Sequence, residues 1–307
     1  MNDTIYIIGH KSPDLDSVVA AISYANLKNK LEVTDKYKPA VAGEINQVTD
    51  FALKKFGFEK PEILKSIEDK AVVLVDHNEE SQRAEGSAMI MEILDHHKLN
   101  FSYGEPIPVL IKPWGSTNSI IYNEYKNNGI EIDKNLAGLM LSAVLDDTVI
   151  TKSPTCTDFD KKIIEDLAKL SEIENWEDYG IEMFKIKSGA SKLSAEEILK
   201  LDFKDFEFEQ GKIGAGQIET VDLSEFESRQ NEILQEMKKI KEANGYHSVI
   251  LMITDIIKEG SLVLVETNDQ EKMEKALESK IIENKIYIEN LLSRKKQLIP
   301  SLTEIFD

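Results

Sequence analysis

Short apolar runs alternate with helical spacing through the first half of the chain. Thr4–Ile8, Pro39–Ala42, Ala71–Val75 and Ile107–Ile111 read as strands. Met89–Leu94 fits either period, but five of its six residues are apolar, so it too is read as a strand. Between these runs, Ser17–Lys28 spaces Val18, Val19, Ile22 and Leu27 as a helix does, with Asp16 or Ser17 as its N-cap. Glu44–Phe56 is a second helix, ended near Gly57. Gly115-Ser116-Thr117 opens a third that runs to about Lys126, and Ile132–Leu145 and Asp158–Leu170 follow. The alternation predicts an α/β fold, with an N-terminal, mostly parallel sheet flanked by helices.

The pattern changes after Ser188-Gly189-Ala190-Ser191. Ser194-Ala195-Glu196-Glu197 has capping-box spacing. Asp202–Glu209 alternates apolar and charged residues with the period of a half-exposed strand, and Lys212–Thr220 looks like its partner. Leu223–Asn244 reads as one long helix with a basic last turn and a stop at Gly245. Ser248–Thr254 and Ser261–Glu266 are strands around a turn at Glu259-Gly260. Two domains are expected, residues 1–187 and 195–307, joined by a linker at 188–194. The second is the smaller, an α/β domain with a mixed sheet.

Charge narrows the range of partners. With 56 acidic against 37 basic residues the formal charge is -19, which repels a polyanion and offers it no basic stripe. Nucleic acid is therefore not an expected partner, but a small phosphate compound is compatible with this surface. No apolar run approaches the roughly 18 residues of a membrane span, so no membrane partner is expected either. No basic and apolar leader opens the chain, and a single cysteine, Cys156, excludes an internal disulfide framework. A cytoplasmic location is the expectation.

Part of the negative charge is clustered. Gly9-His10-Lys11-Ser12-Pro13-Asp14-Leu15-Asp16, Asp76 and Asp95-His96-His97 each follow an apolar segment, and Asp146-Asp147 follows Leu139–Leu145. Four of the five histidines, His10, His77, His96 and His97, lie in or beside these clusters. Asp14 or Asp16 alone would read as a helix cap, and Asp76 alone as a turn residue. Adjacent His96 and His97 cannot both face a core. Acids at a helix C-terminus are unfavourable unless a cation is near. In an open parallel sheet the carboxyl ends of the strands gather such residues at one edge. Aspartate and histidine without thiolate describe a hard-to-borderline divalent cation site.

Gly9-His10-x-x-Pro13-Asp14-x-Asp16-Ser17, Asp76-His77-Asn78-Glu79, Asp95-His96-His97 and Ser293-Arg294-Lys295-Lys296-Gln297 together resemble the family II, manganese-dependent inorganic pyrophosphatases of the DHH phosphoesterase superfamily. The resemblance covers the whole chain. It implies hydrolysis of pyrophosphate to two phosphates by a hydroxide that two metal ions activate, in a site closed between two domains. It implies two Mn²⁺ per subunit, with Co²⁺ as a substitute and additional Mg²⁺ accompanying the substrate. His10, Asp14 and Asp76 would hold one ion, and Asp16, Asp76, His96 and Asp147 the other, with Asp76 bridging. His97 would face the substrate. Lys204, Arg294 and Lys295 would bind its phosphates, and a homodimer is implied. Where the family usually has Ser-Asp-Thr this chain has Asp146-Asp147-Thr148, which adds a carboxylate at Asp146. Another DHH phosphoesterase, such as a short-chain exopolyphosphatase or an oligoribonuclease, is the alternative enzyme. A metal- or nucleotide-binding regulator is the non-catalytic one.

Overall fold

The computed structural model describes residues 4–188, 193–200 and 202–307. It divides into two compact units, Met1–Met183 and Phe184–Asp307. The division thus falls within the helix Trp176–Ser188, and residues 189–192 of the expected linker lie outside the described residues. Among the described residues no helix is long and apolar enough to cross a membrane.

The first unit is built on six parallel strands: β1 Ile5–Ile8, β2 Tyr37–Val41, β3 Glu62–Ile63, β4 Ala71–Val75, β5 Met89–Asp95 and β6 Val109–Ile111. Their order is β3-β2-β1-β4-β5-β6. The chain builds outward from β1 in one direction and then returns to start again at β4. That reversal opens a crevice beyond the carboxyl ends of β1 and β4, the position at which open parallel sheets bind ligands. His10 follows β1 and Asp76 follows β4. The central strands are buried, and Ile8, Ala40, Val72, Leu74, Ile90 and Ile93 form part of one apolar cluster.

Expected and observed elements agree closely here, with three corrections. The first helix is Leu15–Glu32 and its N-cap is Asp14, whose carboxylate accepts from Ser17 N, so Asp16 sits inside the first turn. The second helix begins only at Gln47, capped by Asn46. β3 and the helix Trp176–Ser188 have no counterpart in the apolar pattern. Both residues of β3 are exposed, so no burial periodicity marks it.

The second unit carries a five-stranded mixed sheet in the order β11-β10-β9-β8-β7. These are β7 Phe203–Phe208, β8 Gly211–Thr220, β9 Ser248–Asp255, β10 Gly260–Thr267 and β11 Lys285–Glu289. Only β8 and β9 pair in parallel. All eight residues of β9 are buried because both faces are covered. Ile250 and Met252 pack with Leu302 and Phe306 on one face, and Val249, Leu251 and Ile253 with Ile233 and Met237 on the other. The capping box at Ser194 and Glu197 forms as read. The long helix expected over Leu223–Asn244 is instead two pieces, Ser224–Glu227 and Gln230–Asn244. The break falls at Arg229, whose guanidinium donates to the Leu193 carbonyl.

One packing contact fixes the helix that delivers Asp147. Helix Lys134–Asp147 lies against helix Gln47–Phe56, and a Cβ on Gly138 would stand 2.2 Å from the Phe56 ring. In an open helix Gly→Ala gains about 1 kcal/mol. Here Gly138→Ala should instead lower stability by about 1–3 kcal/mol through overpacking. Denaturant midpoints of the two proteins, both free of metal, check the sign.

Candidate metal centre

The ligand-type side chains converge because each lies at, or within two residues of, the end of a strand or helix. Asp14 and Asp16 open helix Leu15–Glu32, and Ser17 Oγ accepts from His10 N at 3.2 Å, tying the loop back to that helix. Asp76 leaves β4 with a φ of 60°, in the left-handed region. Asp tolerates that region better than most residues, although it is a strained choice. This turn holds its carboxylate toward the crevice. Asp95 ends β5, and His96 and His97 follow. Asp147 is the last residue of helix Lys134–Asp147.

Asp76 sits at the middle of the arrangement. Its Oδ2 lies 3.4 Å from His10 Nε2, which is also 3.4 Å from Asp14 Oδ2. Its Oδ1 lies 3.4 Å from His96 Nε2 and accepts from Thr117 Oγ1 at 2.9 Å. His96 Nε2 is 3.6 Å from Asp147 Oδ2. Two groups of ligand atoms result, His10, Asp14 and Asp76, and Asp16, Asp76, His96 and Asp147, each within 4.8 Å of one another, and His97 joins Asp76 and His96 in a third that overlaps the second. The two oxygens of one carboxylate thus face two separate sets of donors.

Asp95 is not in either group. It is fully buried, and its Oδ1 accepts from His96 N, His97 N and His97 Nδ1, while Oδ2 accepts from Asn78 at 2.6 Å. His96 Nδ1 lies 3.0 Å from the Trp114 carbonyl, so its proton donates there and Nε2 is left free to face Asp76. His97 is half-exposed, with Nδ1 against Asp95 and its other nitrogen available. Burial works against the charge on Asp95, but its bonds to His97 and Asn78 hold its carboxyl below the usual range. The Asp95 bond raises the pKa of His97 in turn.

A second brace comes from the start of helix Thr117–Asn127. Asp16 accepts from Ser116 Oγ, Asn118 N and Asn118 Nδ2 on one oxygen and from Thr117 N on the other, at 2.5 to 3.2 Å. The N-terminal amides of this helix suit an anion. These residues escaped the sequence reading, which saw Gly115-Ser116-Thr117 only as a helix start. The signal available was the cap itself, since a Ser-Thr-Asn run offers more donors than one cap uses.

The chain's relatives agree with this geometry. Residues 4–144 match the DHH family, N-terminal domain, and residues 181–305 match the DHHA2 domain. The manganese-dependent inorganic pyrophosphatase of Methanothrix thermoacetophila is 47% identical, with 100% of this chain and 99% of that protein covered. That of Methanocaldococcus jannaschii is 41% identical, covering 98% of this chain and 99% of its own. A Methanococcus jannaschii crystal structure assigned to family II inorganic pyrophosphatases superposes with a TM-score of 0.61 at 41% identity, over 99% of both chains. The chain belongs to the manganese-dependent inorganic pyrophosphatases.

The buried carboxylates fit the manganese that gives this pyrophosphatase family its name. Asp147 Oδ2 is buried without a hydrogen-bond partner, which is costly for an anion unless a cation completes it. Burial, with Asp16 and Asp76 nearby, raises the Asp147 pKa well above the carboxylate range. Burial and Asp76 likewise push Asp16 up to about 6. Burial opposes the charge on His10 and His96, yet their carboxylate neighbours lift both to about 10. Protons thus stand in for cations at this cluster. The donors are oxygen and imidazole nitrogen only, a set that suits Mn²⁺.

In the second unit the sequence-read cations are arranged differently. Lys204 on β7 and Lys295 are exposed, whereas Arg294 is buried and its guanidinium pairs with both carboxylate oxygens of Asp202. Ser293 and Gln297 brace the turn, the first accepting from Lys296 N and the second from Leu292 N and Ser293 N.

Asp146 is buried but lies outside both ligand groups, and Asp147 lies inside one. Asp147→Ser should therefore lower the manganese bound per chain, and Asp146→Ser should not. Elemental analysis of the two dialysed variants decides this. Loss of metal from the Asp146 variant alone would transfer the role to Asp146.

Proposed function

We propose that this protein hydrolyses inorganic pyrophosphate at the Asp76-centred cluster, and that Asp76 bridges two ions. The observation that carries the reading is the pair of ligand groups sharing Asp76, beside the half-exposed His97, whose Nδ1 is engaged by Asp95. His10, Asp14 and Asp76 would hold one Mn²⁺, and Asp16, Asp76, His96 and Asp147 the other. Co²⁺ is the expected substitute, and Mg²⁺ accompanies the substrate. Bound there, the two ions would acidify a water and neutralise phosphate charge.

The chain's own groups do the rest. Asp95 fixes the tautomer and direction of His97 and favours its protonated form. His97 is thereby suited to bind a phosphate oxygen or to give a proton to the leaving phosphate. As a water oxygen bonds to one phosphorus, the bond from that phosphorus to the bridging oxygen breaks. The bridging oxygen keeps the electron pair and takes the proton. Lys204, Arg294 and Lys295 supply positive charge for the phosphates, and catalysis on so small and charged a substrate comes mainly from such positioning and neutralisation. We further infer a cytoplasmic homodimer, on the family resemblance, with residues 188–194 linking the two domains.

Phosphate release from pyrophosphate, tripolyphosphate and a dinucleotide, after chelation and reloading with Mn²⁺, tests the substrate. Pyrophosphate should be the fastest by a wide margin, and efficient dinucleotide cleavage with negligible pyrophosphate turnover would contradict the reading. Arg294→Ala should keep its manganese and lose about 10²–10³ in kcat, the scale for one lost charge-stabilising donor. Arg294→Lys should recover only part, because an ammonium lacks the two-pronged contact.

A further inference from the structure

Arg294 is held in an unusual way for a group whose work is to bind phosphate. One nitrogen of its guanidinium donates to the backbone carbonyls of Asp202 and Ala215, the latter at 3.0 Å. The other donates to both carboxylate oxygens of Asp202, each at 2.9 Å. Lys204 Nζ lies 3.9 Å from the same carboxylate. Asp202 is therefore an anion set between two of the three cations read as phosphate ligands. Both of its oxygens meet one nitrogen, Nη2, and there they present paired anionic acceptors much as a phosphate would.

The two partners are unequal. The Arg294 side chain is 6% exposed and the Asp202 side chain 51%. Arg294 has carbonyl anchors that remain if the carboxylate leaves, and Gln217 Oε1 accepts from its backbone N–H. Asp202 can turn into water, where a carboxylate is well solvated, and opening the pair leaves the buried guanidinium to its two carbonyl acceptors.

We propose that Asp202 is a positioning residue for phosphate binding: it occupies the place of a phosphate on Arg294 while no anion is bound, and yields that place to one. The inference rests on Arg294 being a phosphate ligand. It gives the half-exposed carboxylate two effects. The buried guanidinium stays aimed and charge-paired when the site holds no anion. An incoming anion must also outcompete a carboxylate, which favours multiply charged phosphates over chloride or acetate.

The test uses the full-length, manganese-loaded protein with Asp202→Ala and Asp202→Asn, inorganic phosphate as the probe, and pyrophosphate as the substrate. Asp202→Ala should bind phosphate about threefold to tenfold more tightly, the range set by the modest worth of a half-exposed ion pair. KM for pyrophosphate should fall in parallel, with kcat changing less. Asp202→Asn, which keeps an acceptor but no charge, should lie between. Merely removing a negative charge would also favour anions, so Asp202→Ala is repeated in an Arg294→Ala background. The gain should vanish there; a gain that persists overturns the proposal. So does unchanged or weaker phosphate binding with a loss confined to kcat, which marks the pair as a fixed brace. If instead Arg294→Ala alone is kinetically silent, it is the assignment of Arg294 that fails.

Discussion

Carboxylates cannot be packed against one another away from water without a positive partner, and the first unit is organised around that constraint. Asp16 and Asp76 are buried, and Asp147 joins them with one oxygen unpartnered. Two like charges about 4 Å apart repel by roughly 4 kcal/mol at the effective dielectric of a protein surface, and by more in a drier site. Without metal, His10 and His96 supply the compensation by holding protons. Ions entering the proposed positions would compete for the same nitrogens, so those protons would have to leave.

The fold supplies the positions and accepts costs to do so. The strand order reverses between β1 and β4, which places the loops after both strands at one crevice. Asp76 takes a left-handed backbone there. Asp147 sits at a helix C-terminus, where the helix dipole disfavours an anion. Asp16 gains the opposite, since the first amides of helix Thr117–Asn127 point at it. Asp95 is the fixed point behind both histidines, and its four acceptor contacts show why the acid of that motif faces away from the ligand groups.

Much of this was legible in the chain. Periodicity located the five longer strands of the first unit, since burial of strand faces writes itself into apolar runs. The two-residue β3 carries no such mark. Local chemistry left the first helix cap open: Asp14, Asp16 and Ser17 are all good caps, and only the backbone turn selects Asp14. Sequence adjacency gathered His10, Asp14, Asp16, Asp76, His96 and Asp147 as candidates, and the sheet edge explains why they meet. What the chain could not disclose were partners made by tertiary folding. Ser116 meets Asp16 across 100 residues, and Arg294 meets Asp202 across 92, with no local pattern linking either pair. The break at Arg229 was equally hidden, because the apolar spacing runs through it.

The central claim is that one carboxylate, Asp76, joins two cation positions. Anomalous diffraction at the manganese edge, from crystals grown with Mn²⁺, tests it most directly. The account predicts two peaks, one bounded by His10, Asp14 and Asp76 and one by Asp16, Asp76, His96 and Asp147, with a separate oxygen of Asp76 directed to each. A single peak, or a second one that Asp76 does not touch, would contradict it.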